Sequence, residues 1–257
     1  YILEQCDHSV LAEFDHDQVH DYRYRRPQFI FDTNRLDSMI DFSLAVHRVT
    51  DSAGKAFLLL SGPEPDHQWH RVAAGVFEIC QEIGVGILAT VSGVPMAVPH
   101  TRPTLITQHA TDPKIVSGNP MWIDRVQLPG SFSHFLEYQA GQRDLLGSGF
   151  VAHVPHYLSQ TTFPQAIAEV LGKVNEFCDL AIPTQPIAER AEENLRTIAA
   201  ETGEDGDFPA LVGALEQQYD RLKESGAASL PSAEEIGAAV ERFLAEQDPP
   251  DFPRDRT

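Results

Sequence analysis

The segment Phe57–Leu60 (FLLL) is apolar at every position and runs into the polar turn Ser61–Asp66 (SGPEPD). A strand without polar alternation is covered on both faces, as in a sheet packed between helix layers. Val85–Val91 (VGILATV) has the same character, and so has Phe150–Val154 (FVAHV) apart from one histidine. The sequence therefore predicts a buried sheet with helices on both of its faces.

Apolar residues at helical spacing mark the segments between these strands. The first predicted helix begins after Asp66, a candidate N-cap, and ends at Gly84, a candidate C-terminal glycine. Two more begin near Ser131 and after Thr162, where Gln165 stands at capping-box spacing. This alternation of strands and helices predicts an α/β fold with a mostly parallel sheet.

The sequence also predicts an antiparallel portion. Leu44–Val46 and Phe57–Leu60 flank the turn cluster Asp51–Gly54 (DSAG), so these two strands are expected to form a hairpin. Val10–Phe14 and Phe29–Phe31 are two further short apolar strands.

The character of the chain changes after about residue 183, where strand-like runs disappear. Amphipathic helices are predicted over Pro183–Thr202, Phe208–Lys223 and Ser232–Glu246. Each has a single apolar stripe, so each needs a partner. The predicted divisions are a core domain over residues 1–183, a helical appendage over 184–247 and a disordered tail over 248–257.

The charge balance excludes two classes of partner. The chain has 257 residues with 19 basic and 38 acidic side chains, a formal net charge of −19. Such a surface repels phosphate backbones and anionic lipid, so neither nucleic acid nor a membrane is expected as a partner. Three cysteines without a CxxC pair fit a reducing compartment, and we predict a cytoplasmic location.

Polar and titratable side chains follow the three buried strands, in turns that proline stiffens. Ligands of open α/β sheets bind beyond the carboxyl ends of parallel strands, so these turns are expected to form one rim. The predicted binding rim consists of Glu64, Asp66, Trp69, Pro95, Met96, His100, Arg102, His156 and Tyr157.

Two interpretations of this rim are open. Glu64 beside a histidine can act as an acid–base pair, and Arg102 can hold a carboxylate or phosphate by two hydrogen bonds. Alternatively, the prolines fix the turns and Arg102 is paired structurally. The sequence contains no GxGxxG, GxxxxGK[ST], GxSxG or HExxH motif, so we assign no catalytic residue.

His153 and His156 invite a metal interpretation. In a strand, positions i and i+3 point to opposite faces, so this pair does not chelate without a sharp bend. We therefore predict that His153 is a hydrogen-bonded core histidine, and we predict no metal and no other cofactor.

Three runs taken together resemble a known family. They are Gly62–Asp66 with Trp69, Gly93–Pro103 (GVPMAVPHTRP) and Gly149–Leu158 (GFVAHVPHYL). Together with Leu215–Asp220 (LEQQYD), they resemble the actinobacterial branch of the proteasome assembly chaperone 2 family. The resemblance covers most of the chain from residue 10 to 225.

This resemblance implies a three-layer α/β/α sandwich of the phosphorylase/hydrolase-like type. It implies self-association into a homo-oligomer between dimer and tetramer, with a trimer favoured. For eukaryotic and archaeal members it implies binding to proteasome α-subunits during assembly, without cofactor or catalysis. A proteasome-related protein partner is the corresponding expectation for this chain.

The sequence departs from the family pattern at both ends. Family members open with an apolar strand and a glycine-rich turn before the first helix, whereas this chain starts near the end of that helix, at Tyr1–Cys6. Assembly chaperones often dock through a tail with a hydrophobic residue, a tyrosine and any third residue. This chain ends instead in Pro253–Thr257 (PRDRT).

Three functional hypotheses follow. The first is a non-catalytic, chaperone-like interaction module. The second is a hydrolase or phosphorylase that acts on a small anionic metabolite at the predicted rim. The third is an appendage that binds a partner helix.

Overall fold

The computed structural model describes residues 1–116, 127–202 and 207–224. Within these ranges the strands are β1 (Asp7–Glu13), β2 (Gln28–Asp32), β3 (Arg35–Ile40), β4 (Ala45–Thr50), β5 (Ala56–Ser61), β6 (Ile87–Met96), β7 (Ile106–Ala110) and β8 (Leu146–Pro155). The α-helices are α1 (Ile2–Gln5), α2 (His16–Val19), α3 (Trp69–Ile83), α4 (Phe132–Gly141), α5 (Pro164–Cys178), α6 (Gln185–Thr202) and α7 (Asp207–Glu224). The predicted helix over Ser232–Glu246 and the predicted tail over 248–257 lie outside the described residues.

The described strands pair in three groups, ordered β1-β4-β5, β2-β3 and β6-β8-β7. Strands β6 and β8 run parallel, in a register that pairs Ile87 with Leu146 and Met96 with Pro155. The other described pairings are antiparallel. The mixed α/β class is confirmed, but the prediction of a mostly parallel sheet is wrong for these strands.

The antiparallel pairings have two origins. The β4–β5 hairpin forms as predicted, because Asp51 closes its turn by accepting hydrogen bonds from the amides of Ala53 and Lys55 at 3.0 and 2.8 Å. Strand β7 (Ile106–Ala110) lies in a segment for which the sequence pattern predicts no strand. It returns beside β8 in the antiparallel sense and separates β8 from any further parallel neighbour on that side.

The apolar residues of β5 and β6 divide between two hydrophobic clusters. Leu59 packs into a hydrophobic cluster around α5, whereas the next residue, Leu60, packs into a second cluster formed with α3 and α4. Ala89 and Leu88 of β6 divide between the same two clusters. Since consecutive strand residues point to opposite faces, the alternation places α5 on one face and α3 and α4 on the other.

Two of the predicted helix ends are confirmed. Ser131 is the N-cap of α4, and its hydroxyl accepts a hydrogen bond from the His134 amide at 3.2 Å. Gly84 ends α3 in the left-handed conformation, with φ of 78°.

Two predicted caps are wrong. The N-cap of α3 is Gln68 and not Asp66. The amides of residues 66 and 67 both donate to the Val19 carbonyl, so the helix begins only after them. Helix α5 begins at Pro164, a favoured first residue, without a capping box. The Gln165 side chain instead donates to the Ala191 carbonyl of α6 at 3.1 Å.

Helices α6 and α7 pack onto the preceding structure. Ile187 of α6 is buried in the cluster around α5. Val212, Leu215 and Tyr219 are the buried residues of α7. None of the helices within the described ranges is both long and apolar enough to cross a membrane.

Candidate functional site

His100 and Tyr157 come together where β6 and β8 end. These strands are parallel and in register to their last residues, so the turns that follow them leave the same edge of the sheet. The Tyr157 hydroxyl accepts a hydrogen bond from the His100 amide at 3.0 Å and lies 2.8 Å from Nδ1 of the same residue. Burial lowers the pKa of His100, which the Glu216 carboxylate opposes, and burial raises the pKa of Tyr157. The predicted convergence of these two turns is therefore observed.

Arg102 is held by two carboxylates of α7. Its Nε and Nη2 donate to Asp220 at 2.9 and 2.7 Å, and its Nη1 donates to Glu216 at 3.0 Å. The hydrogen bond from Arg102 lowers the pKa of Asp220 and, in return, the pKa of the guanidinium is raised. Thr101 also donates to Glu216. Arg102 thus serves as an anchor for α7, and an incoming anion must compete with Asp220 for it.

Helix α7 covers the His100–Tyr157 pair. Phe208 stacks on the His100 ring with centroids 6.2 Å apart and meets the Tyr157 ring edge-on at 5.2 Å. The Tyr219 hydroxyl donates to the Pro103 carbonyl at 3.0 Å. Sequence reasoning identified the amphipathic helix but not its docking site. The available signal was the acidic pair Glu216 and Asp220, four residues apart and hence on one helix face.

Glu64 and Trp69 serve a different helix. The Glu64 carboxylate accepts a hydrogen bond from the Phe132 amide at the first turn of α4. The Trp69 indole donates to the Pro65 carbonyl at 2.6 Å, and its ring lies against Phe132 and Phe135 with centroids 5.6 and 5.8 Å apart. A carboxylate at a helix N-terminus satisfies a free amide and favours the helix dipole. The structure therefore places Glu64 as a helix cap.

Asp66 fixes the chain that precedes the β2–β3 hairpin. Its Oδ2 accepts a hydrogen bond from the Asp21 amide at 2.8 Å and lies 3.3 Å from Nε of Arg25. The contacts described for Asp66 are thus with this segment, as those of Glu64 are with α4.

The remaining predicted rim residues lie at the strand ends. Pro95 is exposed and Met96 half-buried, and they stand opposite Val154 and Pro155 of β8. His156 is exposed, with its ring centroid 5.3 Å from that of Tyr157.

His153 is a core histidine, as predicted. It is buried in β8, with Nε2 2.8 Å from the Thr107 hydroxyl, and burial lowers its pKa to about 4. No cluster of three or more metal-ligating side chains is present among the residues that the structure describes.

The β2–β3 hairpin is the surface that sequence reasoning missed. Every residue of both strands is exposed, on both faces of the ribbon. Its large apolar side chains are between 47% and 66% exposed: Phe29, Ile30, Phe31, Leu36, Met39 and Ile40. An isolated two-stranded hairpin is marginal in water, and monomeric proteins rarely expose contiguous apolar patches of this kind. The sequence predicts Phe29–Phe31 as a short apolar strand. Its exposure depends on which other elements pack against it, and the local sequence does not show this.

The fold and these surfaces define an α/β protein with a helical extension docked on its strand ends and an apolar hairpin presented to solvent. The chain belongs to the PAC2 family, whose sequence model matches residues 1–201. The family resemblance of the sequence is therefore confirmed. A comparison with curated protein sequences gave no match.

Solved structures of two actinobacterial proteins of unknown function are similar to this chain. One, from Corynebacterium glutamicum ATCC 13032, has 35% sequence identity and a TM-score of 0.83, over 87% of this chain and 83% of that one. The other, from Mycobacterium tuberculosis, has 36% identity and a TM-score of 0.84, over 96% of this chain and 82% of that one.

A Mycobacterium tuberculosis proteasome-assembly chaperone homologue shares the fold. It has 19% identity and a TM-score of 0.70, over 80% of this chain and 87% of that one.

Proposed function

We propose that this chain is a non-catalytic, chaperone-like protein-interaction module that works as a homo-oligomer. The observation that carries the proposal is the β2–β3 hairpin, whose apolar side chains are exposed on both faces. Burial of such residues contributes about 25 cal/mol per Å² of apolar area, which favours association of the copies. Membership of the PAC2 family supports a chaperone-like role.

A second copy of the chain is the proposed occupant of the hairpin surface. In a symmetric assembly, each copy contributes the same apolar residues to the contact and removes apolar surface from water. It opposes the net charge of −19 on each chain, so added salt should strengthen it by screening the repulsion. An assembly between dimer and tetramer, with a trimer favoured, is the stoichiometry we propose.

The partner class is carried over from relatives. One structural neighbour is a proteasome-assembly chaperone homologue, which supports the proposal that a proteasome-related protein binds this chain. A three-layer α/β/α arrangement, a core over residues 1–183 with an appendage after it, and a cytoplasmic location belong to the same proposal.

The rim residues favour this module over a hydrolase or phosphorylase. Arg102, the group expected to bind an anionic metabolite, is engaged by Asp220 and Glu216. Glu64, the expected acid or base, caps α4. Both side chains therefore have structural partners where the enzyme hypothesis needs free groups.

Light scattering after size exclusion tests self-association of the full chain. The wild type is expected to elute as an oligomer, and the double variant Phe31→Asp/Leu36→Asp as a monomer. Ile83→Asp is the matched control, because Ile83 is also exposed but lies at the end of α3. A monomeric wild type, or an unchanged oligomer in the double variant, would overturn the proposed self-association.

Co-elution with purified actinobacterial proteasome α-subunits tests the partner. Binding by the wild type and not by a rim variant or the hairpin variant would locate the docking surface. An absence of co-elution at micromolar concentrations would remove the proteasome-related partner and leave self-association to be judged by its own measurement.

A further inference from the structure

A carboxylate and an imidazole share a slot on the face of the sheet that α4 covers. Thr90 of β6 and His109 of β7 both stand opposite Gly149 of β8, which lies between them. Glu137 of α4 fills the space above the glycine. Its Oε1 lies 2.7 Å from Nδ1 of His109, and its Oε2 accepts a hydrogen bond from the Thr90 hydroxyl at 3.1 Å. Side chains from two strands and one helix thus build a single polar cluster over Gly149.

Gly149 is required for this arrangement. A Cβ atom at this position would lie closer than 3.0 Å to Cε1 and Nε2 of the His109 ring and to Oε2 of Glu137. The His109 ring and the Glu137 carboxylate occupy the space that a side chain at residue 149 would fill. Thr90 and His109 flank the slot and hold the carboxylate between them.

The Glu137 carboxylate decides which ring nitrogen of His109 carries the hydrogen. An ionised Glu137 only accepts hydrogen bonds, so in that state Nδ1 of His109 donates and Nε2 is the ring nitrogen that can accept. The Glu137 side chain is nine-tenths buried, whereas that of His109 is 38% exposed. The carboxylate therefore lies beneath the imidazole and orients it.

The imidazole borders an open, solvent-facing cavity of about 390 Å³ between β7 and α4. A second imidazole, that of His134, lines the same cavity with its ring centroid 6.0 Å from that of His109. Thr111, Tyr138 and Gln142 supply further polar groups to its wall.

We propose that this cavity is a small-molecule site at which Nε2 of His109 accepts a hydrogen bond from a hydroxyl or ammonium group on the ligand. The ligand keeps its proton, and the Nδ1–H bond to Glu137 holds the tautomer in which Nε2 accepts. Glu137 is the positioning residue, and its negative charge strengthens Nε2 as a hydrogen-bond acceptor. The same charge, on an acidic protein, favours an uncharged or cationic ligand over an anion. The site is separate from the hairpin and does not depend on the proposed oligomer.

Reaction of the full chain with diethyl pyrocarbonate tests whether Nε2 of His109 is unprotonated and accessible. This reagent acylates unprotonated imidazole nitrogen, and mass spectrometry reads each histidine separately. At about pH 8, where an ordinary imidazole is neutral, His109 should react at least as fast as the exposed His156. Glu137→Gln should slow His109 about fivefold, because a neutral acceptor replaces a charged one, and should leave His156 unchanged. Protection of His109, or a rate that Glu137→Gln does not alter, would overturn the proposal.

Nitrogen-15 NMR of the wild type keeps the proposal testable if Glu137→Gln fails to fold. Long-range correlations should identify the Nδ1–H form of His109 at about pH 8, and the opposite tautomer would overturn the proposed geometry. Choline, a cation with a hydroxyl, should shift the His109 signals more than acetate does. An equal or larger shift with acetate would overturn the ligand class.

Discussion

Arg102 and Asp220 lie 118 positions apart in the sequence and form a bidentate ion pair, with Nε 2.9 Å from Oδ1 and Nη2 2.7 Å from Oδ2. The pair joins the turn after β6 to α7. Paired geometry of this kind fixes orientation as well as distance, because the planar guanidinium matches the carboxylate. The position of α7 over His100 and Tyr157 is therefore tied to one arginine.

Arg102→Met should loosen α7 without unfolding the core. The substitution keeps much of the apolar stem but removes the hydrogen bonds to Asp220 and Glu216. Hydrogen exchange of the α7 amides should become a few-fold faster, while that of α5 stays as in the wild type. Arg196→Met is the control, since Arg196 pairs with Glu193 within α6. Equal protection of α7 in both variants would show that the ion pair does not hold the helix.

Glu64→Ala should destabilise the protein by about 1 kcal/mol. The substitution leaves the Phe132 amide at the start of α4 without its acceptor, and caps are worth roughly this amount. Urea unfolding measures the change. Glu82→Ala removes an exposed acid from α3 and should have almost no effect. Equal stability of the two variants would remove the capping role.

Acidification should destabilise the protein through His153. Its pKa is about 4 in the folded chain, against an ordinary value of 6.5, because burial disfavours the charged form. The unfolded chain then binds the proton more readily, so this contribution is complete above pH 6.5 and is lost as pH falls towards 4. The loss amounts to about 3 kcal/mol.

His153→Gln should flatten this pH dependence. Glutamine can still bond to the Thr107 hydroxyl but does not titrate. Urea unfolding between pH 7 and 4 gives the difference in slope, with His156→Gln as the exposed control. If the wild type and His153→Gln lose stability in parallel on acidification, the assigned origin is wrong.

Gly149→Ala should cost about 1–3 kcal/mol, the usual range for overpacking a filled site. The new methyl group displaces the His109 ring and the Glu137 carboxylate from the slot. Gly172→Ala is the matched control, because a Cβ at that position in α5 meets nothing within 4 Å. The control should be neutral or slightly stabilising, since alanine favours the helix. Similar stabilities for the two variants would mean that the slot is not filled as described.

Local patterns in the sequence predicted most elements but not their pairing. Hydrophobic periodicity located α3, α4, α5 and strands β5, β6 and β8, because each signal lies within one segment; of these strands only β8 is largely buried. Strand β7 pairs with β8 in the antiparallel sense at the edge that β6 leaves free. Which edge is free depends on the whole sheet, so no local sequence pattern predicts it. The family resemblance identified the PAC2 family correctly.

The candidate site was predicted in part. His100 and Tyr157 were expected at one rim and do meet, since both follow parallel strands in register. Glu64 could not be placed, because its partner is an amide 68 positions away. The Glu137–His109 pair escaped notice for a similar reason, since the signal for it is the missing side chain of Gly149.

The place of α7 along the chain has a consequence for synthesis. The turns that carry His100 and Tyr157 leave the ribosome well before Phe208 and Asp220, so the strand ends are uncovered on the nascent polypeptide. At 5–20 residues per second, this interval lasts on the order of several seconds. Chaperones or proteases that sample unfinished chains therefore encounter a surface that the completed protein conceals.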